Sequence, residues 1–327
     1  GRNALDNTTA AHTGTIAIGH EALTACTTGA GNTAIGYQSL DAQTDGNNNT
    51  AIGYRTLSAM NSGETANVAI GKDAGLSIDD ASSDYNVLVG AQAGIGGAAA
   101  MSGCVVIGNE AMMSTAANAQ TGTVAIGSSA LTALTSGEQN IAIGYQALAA
   151  NATGGNNTMI GYQVAVAAND SGFDANVGVG NFVFDGVASG VNAAGNTAIG
   201  YNSMTGVLVD AADYNTCVGY ATGETLTGGY SNVLLGAGAG ASLLTGNQNI
   251  VIGRDAFAAA NGAESDNVCI GYRAGNIIDG GGTNVCIGTD TDPSANTGAN
   301  QTVVGYGTTG QADNSVTLGN ASVTAVY

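Results

Sequence analysis

One ten-residue phrase returns along the chain. It reads GNTAIGYQSL at 31–40, NNTAIGYRTL at 48–57, QNIAIGYQAL at 139–148, NNTMIGYQVA at 156–165 and GNTAIGYNSM at 195–204. Indexed on the glycine after the apolar pair, the repeat falls at Gly1, Gly19, Gly36, Gly53, Gly71, Gly90, Gly108, Gly127, Gly144, Gly161, Gly180, Gly200, Gly219, Gly236, Gly253, Gly271, Gly288, Gly305 and Gly319. Spacings lie between 17 and 20 until the last, which is 14. Periods of this length belong to solenoids, whose units pack only on their neighbours. The composition agrees: 53 glycines, one proline, no tryptophan and 9% charged residues leave material only for a thin core.

Around the glycine each position has a fixed character. One residue before it stands Ile, Val or Leu; three before it, Val, Ile or Thr; two before it, usually Ala or another small residue. Four before it, 13 of 18 repeats carry Asn: Asn32, Asn49, Asn67, Asn86, Asn140, Asn157, Asn176, Asn196, Asn215, Asn232, Asn249, Asn267 and Asn284. β-branched residues favour a strand, and Gly permits a sharp bend at its end. A second short segment follows, as in Gln146-Ala147-Leu148, and then a Gly-bearing surface loop of variable length.

A strand every 17–20 residues leaves no room for a helical crossover. The expected fold is therefore all-β, a parallel β-solenoid of about 18 coils, with the Asn column as a ladder between coils. Residues 1–319 are expected to form one solenoid domain that opens in mid-repeat, and 320–327 its C-terminal end. Strand residues alternate in direction, so −3 and −1 share one face and −4, −2 and the Gly the other. Both faces are apolar, as in strands buried on both sides. The −2 row (Leu88, Val106, Ala142, Leu234, Val251, Cys269, Cys286, Val303) is expected to pack on other copies of the chain, making a homotrimer.

The net charge is −19, and the cations Arg2, Arg55, Lys72, Arg254 and Arg273 are scattered. Such a surface repels nucleic-acid phosphates, so that partner is excluded. No run of 18 apolar residues reads as a membrane span. The five cysteines, Cys26, Cys104, Cys217, Cys269 and Cys286, form no CxxC pattern, and buried free thiols are expected.

The segments NVAIG (67–71), NTAIG (32–36) and TVAIG (123–127) resemble the head repeat of YadA-like trimeric autotransporter adhesins. The longer GNTAIGYQSL (31–40) is similar to repeats of bacteriophage tail fibres, and DNSVTLGNASVTAVY (313–327) to the segment preceding an endosialidase-type, self-cleaving intramolecular chaperone. The resemblance covers essentially the whole chain. It implies a left-handed β-roll, three chains on one axis, and a phage tail fibre, virion-borne and extracellular, that contacts a host receptor or glycan and other tail proteins. The alternative is a bacterial surface adhesin head. It also implies that Tyr327 lies near a processed end, with a chaperone domain and a catalytic Ser beyond it. The adhesin repeat is usually nearer 14 residues, and here only the last interval is 14.

Catalytic patterns are sparse, and the chain is read as no enzyme, with no catalytic, cofactor or metal residues. IGYQAL (143–148) fits one hexapeptide of left-handed β-helix acyltransferases, but those repeat it three times per coil and need a catalytic His. Only His12 and His20 exist. An ice-binding solenoid would need regular outward Thr pairs, which are missing. GAGAG (236–240) is the repeat Gly with small spacers. The acidic groups Asp79, Asp80 and Asp84, Asp170 and Asp174, Asp210 and Asp213, and Glu264 and Asp266 match no Ca²⁺ loop motif and read as solvated loops. Eight tyrosines follow the repeat Gly: Tyr37, Tyr54, Tyr145, Tyr162, Tyr201, Tyr220, Tyr272 and Tyr306. They are expected to pack over the bend, with sugar binding as the alternative. Phe173 and Phe182, near the longest spacers, are expected as exposed contact residues.

Overall fold

The computed structural model describes residues 1–7, 12–97, 99–115, 118–169, 171–188, 190–209 and 211–325. Asp170, Asp210 and Tyr327 lie outside the described residues. The chain divides into two compact units, 1–160 and 161–327, and each repeats the same coil. Among the described residues there is no helix, so none long and apolar enough to cross a membrane.

In the first unit the strands are β1 (Ile16–Ile18), β2 (Thr33–Ile35), β3 (Thr50–Ile52), β4 (Val68–Ile70), β5 (Val87–Val89), β6 (Met101–Ser102), β7 (Val105–Ile107), β8 (Gln120–Thr121), β9 (Val124–Ile126), β10 (Ile141–Ile143) and β11 (Thr158–Ile160). In the second they are β12 (Val177–Val179), β13 (Thr197–Ile199), β14 (Thr216–Val218), β15 (Val233–Leu235), β16 (Ile250–Ile252), β17 (Val268–Ile270), β18 (Val285–Ile287), β19 (Thr302–Val304) and β20 (Val316–Leu318). Within each unit successive repeat strands pair in parallel, always in repeat register: Ala34 opposite Ala51, Val251 opposite Cys269. This is the parallel β-solenoid expected from the repeat, one strand per coil.

After the strand, Gly makes the bend. At Gly36 φ is +137°, and a Cβ there would collide with the carbonyl oxygen of Gly53 in the next coil. Only Gly allows both the conformation and the approach. The segment that follows is a run of turns whose residues at +2 and +4 are left-handed: Gln38 and Leu40 (φ 50° and 51°), Gln146 and Leu148 (54° and 51°). Non-glycine residues enter that region at a cost of about 1–2 kcal/mol each. The alternation turns successive amides towards the coils on either side: Gln38 N–H donates to His20 O (3.0 Å), Leu40 N–H to Thr56 O (3.1 Å). Those bonds satisfy backbone groups that a thin coil could not pair within itself.

The structure corrects the assignment of the strand faces. The −2 residues Ala34, Ala51, Ala69, Leu88, Val106, Ala142, Leu234, Val251, Cys269, Cys286 and Val303 are fully buried inside their own chain. They pack on the opposite wall, formed by +3, +4 and +7, as in Ser39, Leu40 and Gln43. In many coils the two walls trade volume, though Val251 faces Phe257 and Val106 faces Met112. Where −2 is Ala142, +4 is Leu148; where −2 is Leu234, +4 is Gly240, and a Cβ on Gly240 would press on Leu234. Gly94 meets Leu88 and Gly275 meets Cys269 in the same way. The −2 residue is small because the coil is thin, not because other chains approach there. The outward face is −3 and −1.

The Asn ladder is present. In 161–327, Asn196 N–H and Nδ2 donate to Asn176 Oδ1 (2.9 and 3.2 Å), and the pattern continues through Asn215, Asn232, Asn249, Asn267 and Asn284. Each Nδ2 also reaches a carbonyl of the returning chain, as Asn249 does to Glu264 O (2.7 Å). In 1–160 the ladder lapses at Cys104 and Thr123, and there the extra pair β6–β8 forms, supplying main-chain bonds instead. Asn249→Ala removes a buried side chain with four such bonds. The expected loss is about 1–3 kcal/mol, the cost of stranding buried polar groups, read in denaturant melts. The exposed Glu138→Ala is expected to change stability by less than about 0.5 kcal/mol.

Candidate functional site: the outward strand face

Because −2 and −4 point inward, every coil turns its −3 and −1 residues out, all of them β-branched except Leu235 and Leu318. No described rung on this face carries a charge. In 1–160, Ile18, Ile70, Ile107 and Ile160 are exposed; in 161–327, Ile199, Ile250, Ile287 and Leu318. In-register pairing aligns them in straight rows, such as Ile35 beside Ile52 and Ile252 beside Ile270. Apolar patches of such continuity are uncommon on a solitary soluble chain and mark contact sites.

The +1 column runs beside this face. His20, Tyr37 and Tyr54 stack with centroids 5.4 and 5.3 Å apart and planes within 14°; Tyr201 and Tyr220 stack at 5.7 Å. Phe182 fits edge-on between Tyr162 and Tyr201, and Arg254 lies 6.0 Å over Tyr272. In a stack, ring faces cover one another, leaving edges to solvent. A sugar stacks on a ring face, so the geometry favours packing, as expected. Phe173 is not an exposed contact: it is fully buried and meets Phe184 edge-on at 5.7 Å. Its spacer folds inward because a coil with Gly178 at −2 has room for aromatic rings.

The loop acids have structural partners that the sequence reading missed. Asp84 Oδ1 accepts from Thr65 N (2.6 Å), and Asp213 Oδ1 from Ala194 N (2.8 Å). Asn47 and Asn247 do the same from the identical coil position, −6. The recurring Asn or Asp at −6 was the signal available. Asp80 Oδ1 accepts from Ser82 N, Asp79 Oδ1 from Asn61 Nδ2, and Glu264 from Gly262 and Gly280 N–H. Among the described residues no group of three or more His, Cys, Asp or Glu side chains could hold a metal ion.

Glu64, at the same coil position as Glu264, is buried with Oε2 unpartnered. Burial pushes its carboxyl above the usual range; Asp79 adds to this, while the amides of Glu64 itself, Asn61 and Ser62 pull back. Burial raises Asp41 and Asp292 likewise. A raised carboxyl binds its proton better when folded. Its stabilising contribution is full below the unfolded value of about 4 and is lost as pH rises through the raised folded value. The protein is therefore expected to melt higher near pH 5 than near pH 7. Glu64→Gln should raise stability at pH 7 and flatten that slope; an unchanged slope would contradict the assignment.

His12 Nδ1 lies 3.6 Å from Cys26 Sγ and 3.0 Å from Gly29 O. Burial raises the Cys26 thiol, so the pair holds a protonated thiol rather than a nucleophile. In GAGAG (236–240), Gly236 is the bend and Gly240 makes room for Leu234. No protein-family model matches the chain, and no curated protein matches it.

Proposed function

We propose that the chain is a self-associating structural segment of an extracellular fibre, three copies meeting through their outward −3/−1 faces. The observation that carries this is the unbroken run of uncharged rungs on the outside of each unit, β-branched at every place but Leu235 and Leu318. Burying apolar area at about 25 cal/mol per Å² makes such a face a strong driver of association. The threefold arrangement, the tail-fibre setting and the host receptor or glycan rest on the resemblance of NTAIG, NVAIG and GNTAIGYQSL to adhesin-head and phage-fibre repeats.

The fibre reading places the protein on a virion, beside other tail proteins, with the surface of a bacterium carrying an adhesin head as the second setting. One strand per coil, with turns completing the circuit, also differs from a coil made of three hexapeptide strands. Immuno-electron microscopy with antibody against 1–327 tests the setting. Label on an appendage supports it; label confined to the cell interior overturns it.

A further inference from the structure

Every coil sends the middle residue of its strand into the interior, and in two successive coils that residue is a thiol. Cys269 and Cys286 are register partners across β17 and β18. Both are fully buried and unbridged. Adjacent strands run about 4.8 Å apart, inside the Cα separation of about 4.4–6.8 Å that a disulfide spans, and closure needs the Cβ atoms to draw together by a few tenths of an ångström, into the range of about 3.5–4.5 Å. Parallel neighbours in register carry their Cα–Cβ bonds in the same direction, so both sulfurs enter one interior layer. Gly275 makes room for the sulfur of Cys269: a Cβ there would strike Cys269 Sγ. The Cys286 thiol, followed by burial, pushes Cys269 well above the ordinary thiol range. The flanking rungs, Val251 and Val303, carry no sulfur. Cys217 is separated from the pair by the rungs of Leu234 and Val251.

We infer that Cys269 and Cys286 form an oxidation site, which a peroxide converts to a disulfide clamping two adjacent coils. One sulfur attacks a peroxide oxygen; the S–O bond forms as O–O breaks, and water leaves with the thiol proton. The second sulfur attacks the resulting sulfenic acid, forming S–S and expelling hydroxide, which takes the second thiol proton as water. Two thiols and one hydrogen peroxide thus give one disulfide and two waters. The fixed neighbour makes the second step intramolecular and fast. Burial and the high thiol pKa make the first step slow, accelerating as pH rises.

The test treats folded protein with hydrogen peroxide, removes it with catalase, then unfolds the chain in iodoacetamide without reductant for peptide mass spectrometry. The expected product is one linked pair of peptides holding Cys269 and Cys286, 2 Da below their sum. Dithiothreitol should remove the link, and the oxidised protein should melt at a higher temperature than the reduced. Cys286→Ala removes only Sγ and installs the residue most common at this position; it should abolish both the link and the shift between treated and untreated protein. Complete alkylation of Cys269 and Cys286 after peroxide, or links scattered among all five cysteines, overturns the inference.

Discussion

Ala142→Asp is expected to abolish the folded chain, whereas Ile126→Asp with Ile143→Asp is expected to leave it folded and separate it from its copies. The two variants differ by one step along a strand and so by which side of the wall receives the charge. Ala142 is fully buried, and its coil interior offers no cation. An unpaired carboxylate there costs several kcal/mol, of the order of the whole stability of a domain. Ile126 and Ile143 are register partners on the outward face. Water solvates carboxylates there in a lone chain, but three chains in contact would bury six. Circular dichroism and native mass measurement on both variants check this. A folded Ala142→Asp chain, or an Ile126→Asp/Ile143→Asp variant that still associates, would reverse the assignment of the faces.

Exchanging volume across the coil should give the next largest effect. Leu148→Gly is expected to cost about 3–5 kcal/mol, since it leaves the cavity of a deleted leucine. Ala142→Leu is expected to cost about 1–3 kcal/mol by overpacking against Leu148. Combined, they recreate the Leu234/Gly240 arrangement that the chain already uses. The double variant should recover part of the summed loss, a coupling of about 1–3 kcal/mol. Leu148 already has φ 51°, so glycine relieves its backbone while emptying its side-chain site. Additive losses in a double-mutant cycle would show that the two walls do not fill one space.

The same trade in volume explains what the sequence revealed and what it hid. Period, strand, bend and Asn column were legible because each depends on one residue type at one position. The direction of the strand faces was not, because both are apolar and alternation alone gives no sign. The sign lay in a longer pairing: Leu88 with Gly94, Met159 with Ala165, Gly178 with Phe184, Leu234 with Gly240. Residues sharing an interior compensate one another in this way, although Val251 with Phe257 and Val106 with Met112 do not. The turn ladder was hidden for another reason. Gln38, Leu40 and Arg55 have no intrinsic preference for positive φ, and hold it because neighbouring coils bond their amides. Phe173 was misplaced because spacer length says nothing about where a loop folds.

In the fibre we propose, other copies of the chain cover the outward −3/−1 rows. Sedimentation equilibrium at micromolar concentration tests it most directly. Three chains of 31.7 kDa each per particle, with the Ile126→Asp/Ile143→Asp variant dissociating, is the predicted result. Two chains would keep the interface and overturn the threefold arrangement. A folded, soluble single chain would contradict this, leaving an exposed, uncharged strand face for a partner of another kind.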